Sequence, residues 1–444
     1  MMKEAGLKTF KAGIHPPYNK GLSSGKAIKE APIPQEITVS LQQHIGAPNE
    51  PLVSPGERVS VGQKIGSSDT FVSAPVHSPV SGTVKGIEEI RTFSGQKVKA
   101  VVISPDQQGG TFAAEKKDID SLEPDEIRSI AREAGLVGMG GAAFPTHVKL
   151  APPKDKPIDV VILNACECEP FLTCDHRLLL EKPEEVVQGL KLFVRAVGAE
   201  RGVIGLEANK MDALEGLRRA IGGEPNLDIE VLQVKYPQGA EKQLIFAITG
   251  RQVPLGKLPS EVGCLVQNVG TSFAMFEAAS KGKPLYERVV TVTGQGIKEP
   301  SNLLAKVGTP ISVLIEACGG MTSDATKVIM GGPMTGWAQE DLSVPVVKGT
   351  SGVVVLTQEL VDVREEHACV RCGKCIDVCP MSLMPNYIVD ACQKGDLAKA
   401  QMWGALDCFE CGCCSYTCPA FIPHVSYVRK AKAEIEAAKR AARQ

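Results

Sequence analysis

The stretch CVRCGKCIDVCP, Cys369 to Pro380, is followed by CFECGCCSYTCP, Cys408 to Pro419. Both read C-x2-C-x2-C-x3-C-P, and the second holds one extra cysteine, Cys413. Four thiolates already make a metal site, so the doubling needs a reason. Structural zinc usually sits between two separated C-x2-4-C pairs. Three cysteines at successive two-residue gaps fit that poorly. Disulfides are the other plain reading. The doubled run predicts iron–sulfur chemistry instead.

The same run resembles that of bacterial two-cluster ferredoxins, where three cysteines hold one [4Fe–4S] cluster and the fourth ligates the other. The resemblance implies a reciprocal pair of sites. Cys369, Cys372, Cys375 and Cys418 serve one cluster; Cys379, Cys408, Cys411 and Cys414 serve the other. Pro380 and Pro419 each follow a fourth cysteine and keep the chain from closing back on its own cluster. Cys413 is off this register, since pairing it with Cys411 leaves C-x-C.

The remaining composition is that of an ordinary globular protein of three or four domains. The chain has 444 residues, 43% hydrophobic and 23% charged. A net charge of −2 gives no global attraction to nucleic acid or anionic lipid. Eight of the 15 cysteines are assigned to clusters and the rest are scattered. The start, MMKEAGLKTFKAG, lacks the apolar core of a signal peptide, so a reducing cytosolic setting is expected. No apolar stretch approaches the ~20 residues of a spanning helix. IDVVILNA and SGVVVLTQ read as buried strands.

Residues 1–118 contain short runs rich in Val, Ile, Gly and Pro, similar to the barrel-sandwich domains of lipoyl and biotinyl carriers. Val59, Val61 and Ile65 would face inward. Carriers need a lysine at an exposed hairpin tip. That region reads PVHSPVSG, without lysine, so the fold is expected and the attachment chemistry is not; His77 there reads as a solvated or hydrogen-bonded turn residue. Asp106 to Asp118 is a polar linker. Residues 119–284 alternate helix and strand: SLEPDEIRSIAREAG is a helix with Ile127, Ile130 and Ala134 on one face and Gly135 at its stop. PEEVVQGLKLFVRAVGA is another helix, RGVIGLEA a strand, and the alternation predicts an α/β domain. In residues 285–352, strand, short helix and strand suggest a β-grasp module, with Thr309 capping and Pro310 opening the helix. SGVVVLTQ would then connect to the cluster domain, residues 353–444. That domain ends in SYVRKAKAEIEAAKRAARQ, a basic helix read as solvated or as a docking element. The fold class is multidomain α/β and α+β.

GLVGMGGAAFPTHVKL, Gly135 to Leu150, lets bare backbone N–H groups approach an anion at Gly138, Gly140 and Gly141, with Lys149 adding charge. Together with NACECEP (Asn164 to Pro170), YPQGAEKQ (Tyr236 to Gln243) and QNVGT (Gln267 to Thr271), the loop resembles the flavin- and NADH-binding subunit of respiratory complex I. The resemblance implies that Gly138, Gly140, Gly141 and Lys149 contact FMN phosphate and backbone. Asn164 and Asn268 would hydrogen-bond the flavin, with residues near Tyr236 and Glu241. Phe144 would stack on the nucleotide and Glu169 meet its polar groups. Val137 and Met139 stand where that family has arginines, and Cys166 where it has aspartate.

That subunit ends in one cluster; this chain ends in two. The whole order, with GIHPPYNKGLSSGKAI and QHIGAPNEPLVSPGERVSVGQ near the start, resembles the RnfC family of the Rnf ion-translocating ferredoxin:NAD oxidoreductase. The resemblance implies electron transfer between NAD(H), FMN and two [4Fe–4S] clusters, with no acid–base catalytic residue. The partners implied are the other subunits of a membrane-bound complex and, indirectly, ferredoxin. The place implied is the cytoplasmic face of the inner membrane, without a span. A cobalamin reductase of similar flavin and cluster content is one alternative, though it generally lacks the HPP and QHIGAP region. A non-catalytic iron–sulfur wire with a vestigial flavin fold is the other.

Overall fold

The computed structural model describes residues 6–106, 109–114, 117–361 and 363–441. The polar linker lies partly outside the described residues, and so do the last three residues of the basic tail.

Four strands pair antiparallel in the order Ile37–Ser40, Lys97–Pro105, Gly82–Arg91, Arg58–Val59. A second sheet joins Glu50–Pro51, Lys64–Ser67 and Val76–His77. Val59 and Ile65 fill the core between the sheets with Val39, Val84 and Ile103, and Val61 is buried as well. The hairpin tip departs from the expectation. Residues 73–80 are all buried, and His77 lies in a strand, not in a solvated turn. Burial pushes the His77 pKa well below its ordinary value. The reason is that the tip is wedged against the next two domains. Lys348 Nζ donates to Pro75 O and to Gly135 O, both at 2.7 Å. Gly135 must be glycine: its φ is +64°, and a Cβ would lie 2.2 Å from Pro75 O.

The α/β domain has a parallel sheet ordered Leu227–Leu232, Arg201–Glu207, Val160–Ala165, Cys264–Asn268. Val160–Ala165 is apolar on both faces because helices cover both. The helix Pro124–Glu133 opens with a capping box between Glu123 and Glu126 and buries Ile127 and Ala131. The helices Pro183–Val197 and Val269–Lys281 cross closely at Gly189, where any Cβ would strike Ser272 O at 1.9 Å. Asn164 and Asn268 pair in register at the carboxyl ends of adjacent strands, the edge where open α/β sheets bind ligands.

The β-grasp sheet has six strands, ordered Ile28–Glu30, Ser301–Lys306, Glu287–Thr293, Gly352–Thr357, Ala325–Met330, Trp337–Gln339. SGVVVLTQ is therefore no connector. All six residues of Gly352–Thr357 are buried, and a strand apolar on both faces belongs at a sheet's centre. The outer strand Ile28–Glu30 comes from the other end of the chain. The short helix is Ile311–Ala317 with Pro310 as its N-cap, one position earlier in the helix than expected; Thr309 is buried and caps nothing.

In the cluster domain the two cysteine runs have matching backbones. Arg371 and Glu410, and Ser382 and Phe421, are paired left-handed residues without being glycine. Gly373 and Gly412, both at φ +79°, open short helices Lys374–Asp377 and Cys413–Tyr416. The terminal helix His424–Ala441 is not merely solvated. It buries Val428, Ala431 and Ile435, each large apolar side chain contributing about 1.5–3 kcal/mol.

The chain ahead of the barrel-sandwich stitches these domains together. Gly13 N donates to Val378 O (3.1 Å), Ile14 pairs with Tyr236, and Phe171 N donates to Tyr18 O (2.7 Å). Lys20 Nζ gathers the carbonyls of Glu167, Glu169 and Leu172 at 2.7, 2.9 and 2.6 Å.

Lys348 makes stability depend on pH. Burial lowers its pKa from 10.5 to about 7. Between these values the unfolded chain binds a proton that the folded chain does not, so stability falls as pH drops from about 10.5 to about 7. Denaturant titrations across that window should show Lys348→Met flattening the dependence, by up to about 1.4 kcal/mol per pH unit. Parallel curves for the two proteins would mean that Lys348 is charged when buried.

Candidate functional site

The glycine loop is a closed turn. Gly138 N donates to Phe144 O (2.8 Å), Ala143 N to Gly138 O (3.1 Å), and Met139 N to Thr271 Oγ1 (2.9 Å). Gly140 and Gly141 are exposed at its crest. A Cβ on Gly138 would meet only Phe144 backbone at 3.7 Å, and one on Gly140 only Asn268 at 3.5 Å. The fold itself has room for side chains there. The bare backbone leaves that room to the cleft beside it, as a ligand held by backbone N–H groups requires.

That cleft has a volume of about 770 Å³ and is lined by residues of all four domains, a size suited to a cofactor with its substrate. Nine of the ten cofactor-binding candidates line it: Gly138, Gly140, Gly141, Phe144, Lys149, Asn164, Glu169, Glu241 and Asn268. Lys149 Nζ donates to Glu241 Oε1 (2.9 Å) and Val266 O (2.7 Å). Asn164 Nδ2 donates to Gly239 O (2.8 Å). Asn268 caps its helix by accepting from Thr271 N (3.3 Å) and donates to Asp175 Oδ2 (2.6 Å). Burial, with Glu167 nearby, pushes Asp175 up to about 7. Glu169 accepts from Met334 N (3.1 Å) and from the Thr335 hydroxyl; burial raises its pKa against those bonds.

Tyr236 is the exception. It is 2% exposed and lies behind the cleft, where its hydroxyl donates to Cys411 O at 2.8 Å. It ties the α/β domain to the cluster domain and does not face the cleft. Sequence reasoning missed Trp337, Phe409 and Arg429, which line the cleft from the other two domains. Only the glycine turn before Trp337 marked that region as special. Gly332 in that turn lets Glu169 approach, since a Cβ would sit 2.2 Å from Glu169 Oε2.

The cysteines surround two cavities. One is lined by Cys369, Cys372, Cys375 and Cys418, the other by Cys379, Cys408, Cys411 and Cys414. Each cavity thus takes three sulfurs from one run and the fourth from the other, a donor set that fits a [4Fe–4S] cluster. Cys413, fully buried, lies at the second cavity against Cys411, Tyr236 and Cys168. The first cavity is the outer one, since Cys369 and Cys372 are exposed. The second is the inner one and adjoins the cleft: Met381, Phe409 and Glu410 line both, and Gln243 Nε2 donates to Pro380 O (3.0 Å). Leu383 N and Glu410 N donate to Cys379 Sγ and Cys408 Sγ, both at 3.4 Å. Burial pushes the Cys408 thiol up to about 11, and Cys414 higher, a penalty that a bound cation reverses.

Comparison with known proteins follows this division. Residues 8–108 match the RnfC barrel sandwich hybrid domain, 131–277 the Nuo51 FMN-binding domain, 289–338 the SLBB domain and 361–419 the 4Fe-4S dicluster domain. The chain is 46% identical to the RnfC-type component of the Na(+)-translocating ferredoxin:NAD(+) oxidoreductase complex of Acetobacterium woodii, covering 97% of this chain and 98% of that one. It is 44% identical to the counterpart in the proton-translocating complex of Clostridium ljungdahlii, covering 97% and 95%. An NAD+-reducing [NiFe]-hydrogenase in the H2-reduced state aligns at 19% identity and TM-score 0.49, over 76% of this chain and 74% of that one. Among the described residues no helix is long and apolar enough to cross a membrane. The chain belongs to the RnfC family, whose members are subunits of ion-translocating ferredoxin:NAD(+) oxidoreductase complexes.

Proposed function

We propose that this chain is the peripheral subunit through which an ion-translocating complex exchanges electrons with NAD(H). It rests on the cytoplasmic face of the inner membrane through its partner subunits. Electrons from ferredoxin reach it by way of those subunits. The observation that carries the reading is the shared wall: Met381, Phe409 and Glu410 line both the cleft and the inner cysteine cavity. The order is therefore NAD(H), FMN, the cluster on Cys379, Cys408, Cys411 and Cys414, the cluster on Cys369, Cys372, Cys375 and Cys418, then the partner. FMN, when bound, supplies the conversion between two-electron and one-electron transfer.

The residues of the chain hold and orient. Backbone N–H groups at Gly138, Gly140 and Gly141 receive the FMN phosphate, with Lys149 as nearby positive charge. Asn164, Asn268 and Glu241 face the flavin. Phe144 offers its ring to the nucleotide base and Glu169 its carboxylate to a ribose hydroxyl.

Replacing Gly140 by valine should abolish FMN binding with both clusters intact, because the added side chain enters the cleft and not the core. Flavin and iron assays on anaerobically reconstituted protein check this. Glu169→Gln should keep FMN and weaken NADH about tenfold to a hundredfold, the worth of a hydrogen bond to a charged group. The deciding measurement is NADH-driven reduction of an artificial acceptor by the FMN-loaded chain. A chain full of FMN that neither binds nor oxidises NADH is a wire, and the nucleotide half of the reading fails.

The crossed ligands predict about eight irons per chain. Cys379→Ala should cost the inner cluster, about half the iron, although it lies in the run of the outer one. Cys413→Ala should keep the full content. Iron loss from Cys413→Ala would overturn the register.

In cells lacking the other subunits the chain should leave the membrane pellet. Retention there would make the basic terminal helix a lipid anchor.

A further inference from the structure

The two cysteine runs share a backbone and differ in charge at one matched position. Between the first two cysteines of the outer run stands Arg371, and between those of the inner run stands Glu410. Both are left-handed, at φ +54° and +62°, a conformation that costs free energy for a residue with a side chain. Only Glu410 points at the terminal helix. Its carboxylate accepts from Arg429 Nε and Lys432 Nζ, each at 2.8 Å. Lys432 also donates to Cys408 O. Arg429 also donates to Thr335 O (3.0 Å), and its guanidinium lies 4.3 Å from the centre of the Trp337 ring. The Glu410 amide donates to Cys408 Sγ, one of the inner ligands.

Three charges thus stand at the wall between cleft and inner cavity, two positive and one negative. All three side chains are about three-quarters buried, so water screens them only in part. A cluster gains one negative charge on reduction, and a net positive neighbourhood with N–H donors to sulfur favours the reduced form.

We propose that the helix His424–Ala441 is a redox-tuning clamp: Arg429 and Lys432, acting on and through Glu410, hold the inner cluster at a higher potential than its thiolates alone would give. This rests on the crossed-ligand reading, which puts Cys408 on the inner cluster. Arg429, Lys432 and Glu410 are positioning residues. Two of the basic residues of the tail are thereby occupied inside the protein, and the outer cluster has no equivalent of them in its matched loop, where the charge is reversed.

The test is a redox titration of the full chain, reconstituted with both clusters and followed by electron paramagnetic resonance. The inner signal is identified beforehand as the one that Cys379→Ala removes. If that variant removes neither signal or the other one, the ligand assignment fails, separately from the clamp. Lys432→Gln takes away a positive charge and should lower the inner potential. The expected change is about tenfold in the ratio of reduced to oxidised cluster at fixed ambient potential, about 59 mV for one electron. Glu410→Gln takes away a negative charge and should raise it. Lys432→Arg should restore the original value, and the outer signal should hold still throughout. Loose packing alone would move both variants the same way. Shifts of the same sign, no shift at full iron content, or an equal shift of the outer signal would each overturn the proposal. Should Lys432→Gln lose iron, Arg429→Gln carries the same expected direction and decides.

Discussion

Three backbone carbonyls, those of Glu167, Glu169 and Leu172, converge on the one ammonium of Lys20. The rest of the cleft depends on that convergence. The segment between the strand Val160–Ala165 and the helix Cys174–Glu181 turns sharply, with Glu167 and Phe171 both left-handed. Such backbone persists only where its surroundings over-determine it. Lys20 does so from one side. From the other, Lys210 donates to Cys166 O, and Glu167 accepts from the helical N–H of Asp175 (2.7 Å). Glu169 is then held where the β-grasp turn can reach it through Met334 and Thr335.

The same arm continues to Ser23, whose hydroxyl meets Thr173 (2.7 Å) and whose carbonyl accepts from Asn302 (3.1 Å). It ends as the edge strand of the β-grasp sheet. The arm also touches the cluster domain at Val378, immediately before the inner ligand Cys379. One extended segment thereby sets the α/β, β-grasp and cluster domains against one another. The burial of its polar groups is compensated by backbone partners in each, which is why so irregular a segment can run through an interior.

What could be read from the sequence was local. The cysteine spacing, the helix starting beside Glu123 and the apolar run Val160–Ala165 each carry their signal within a few residues. The glycine loop and Asn268 could be placed together because a family pattern linked them. What could not be read depended on partners far along the chain. Gly352–Thr357 is apolar in any context, and only its neighbours put it at a sheet's centre. His77 and Pro75 have the composition of an exposed turn; Lys348, some 270 positions away, buries them. Tyr236 sits in a motif of cleft residues but faces Cys411. Trp337, Phe409 and Arg429 reach the cleft because domains close over it, and no pattern within their own segments encodes that.

The docked hairpin tip has a consequence for motion. In carrier proteins this tip travels, moving a covalent cargo between stations. Here Lys348 and Gly135 fix it at both neighbours, and loops of the same barrel-sandwich domain form a wall of the cleft. A fold that elsewhere serves as a shuttle serves here as a stator. With nothing to swing, the separation between cleft and inner cysteine cavity is a property of the folded frame, and traffic between them is set by distance and potential, not by diffusion of a tethered part.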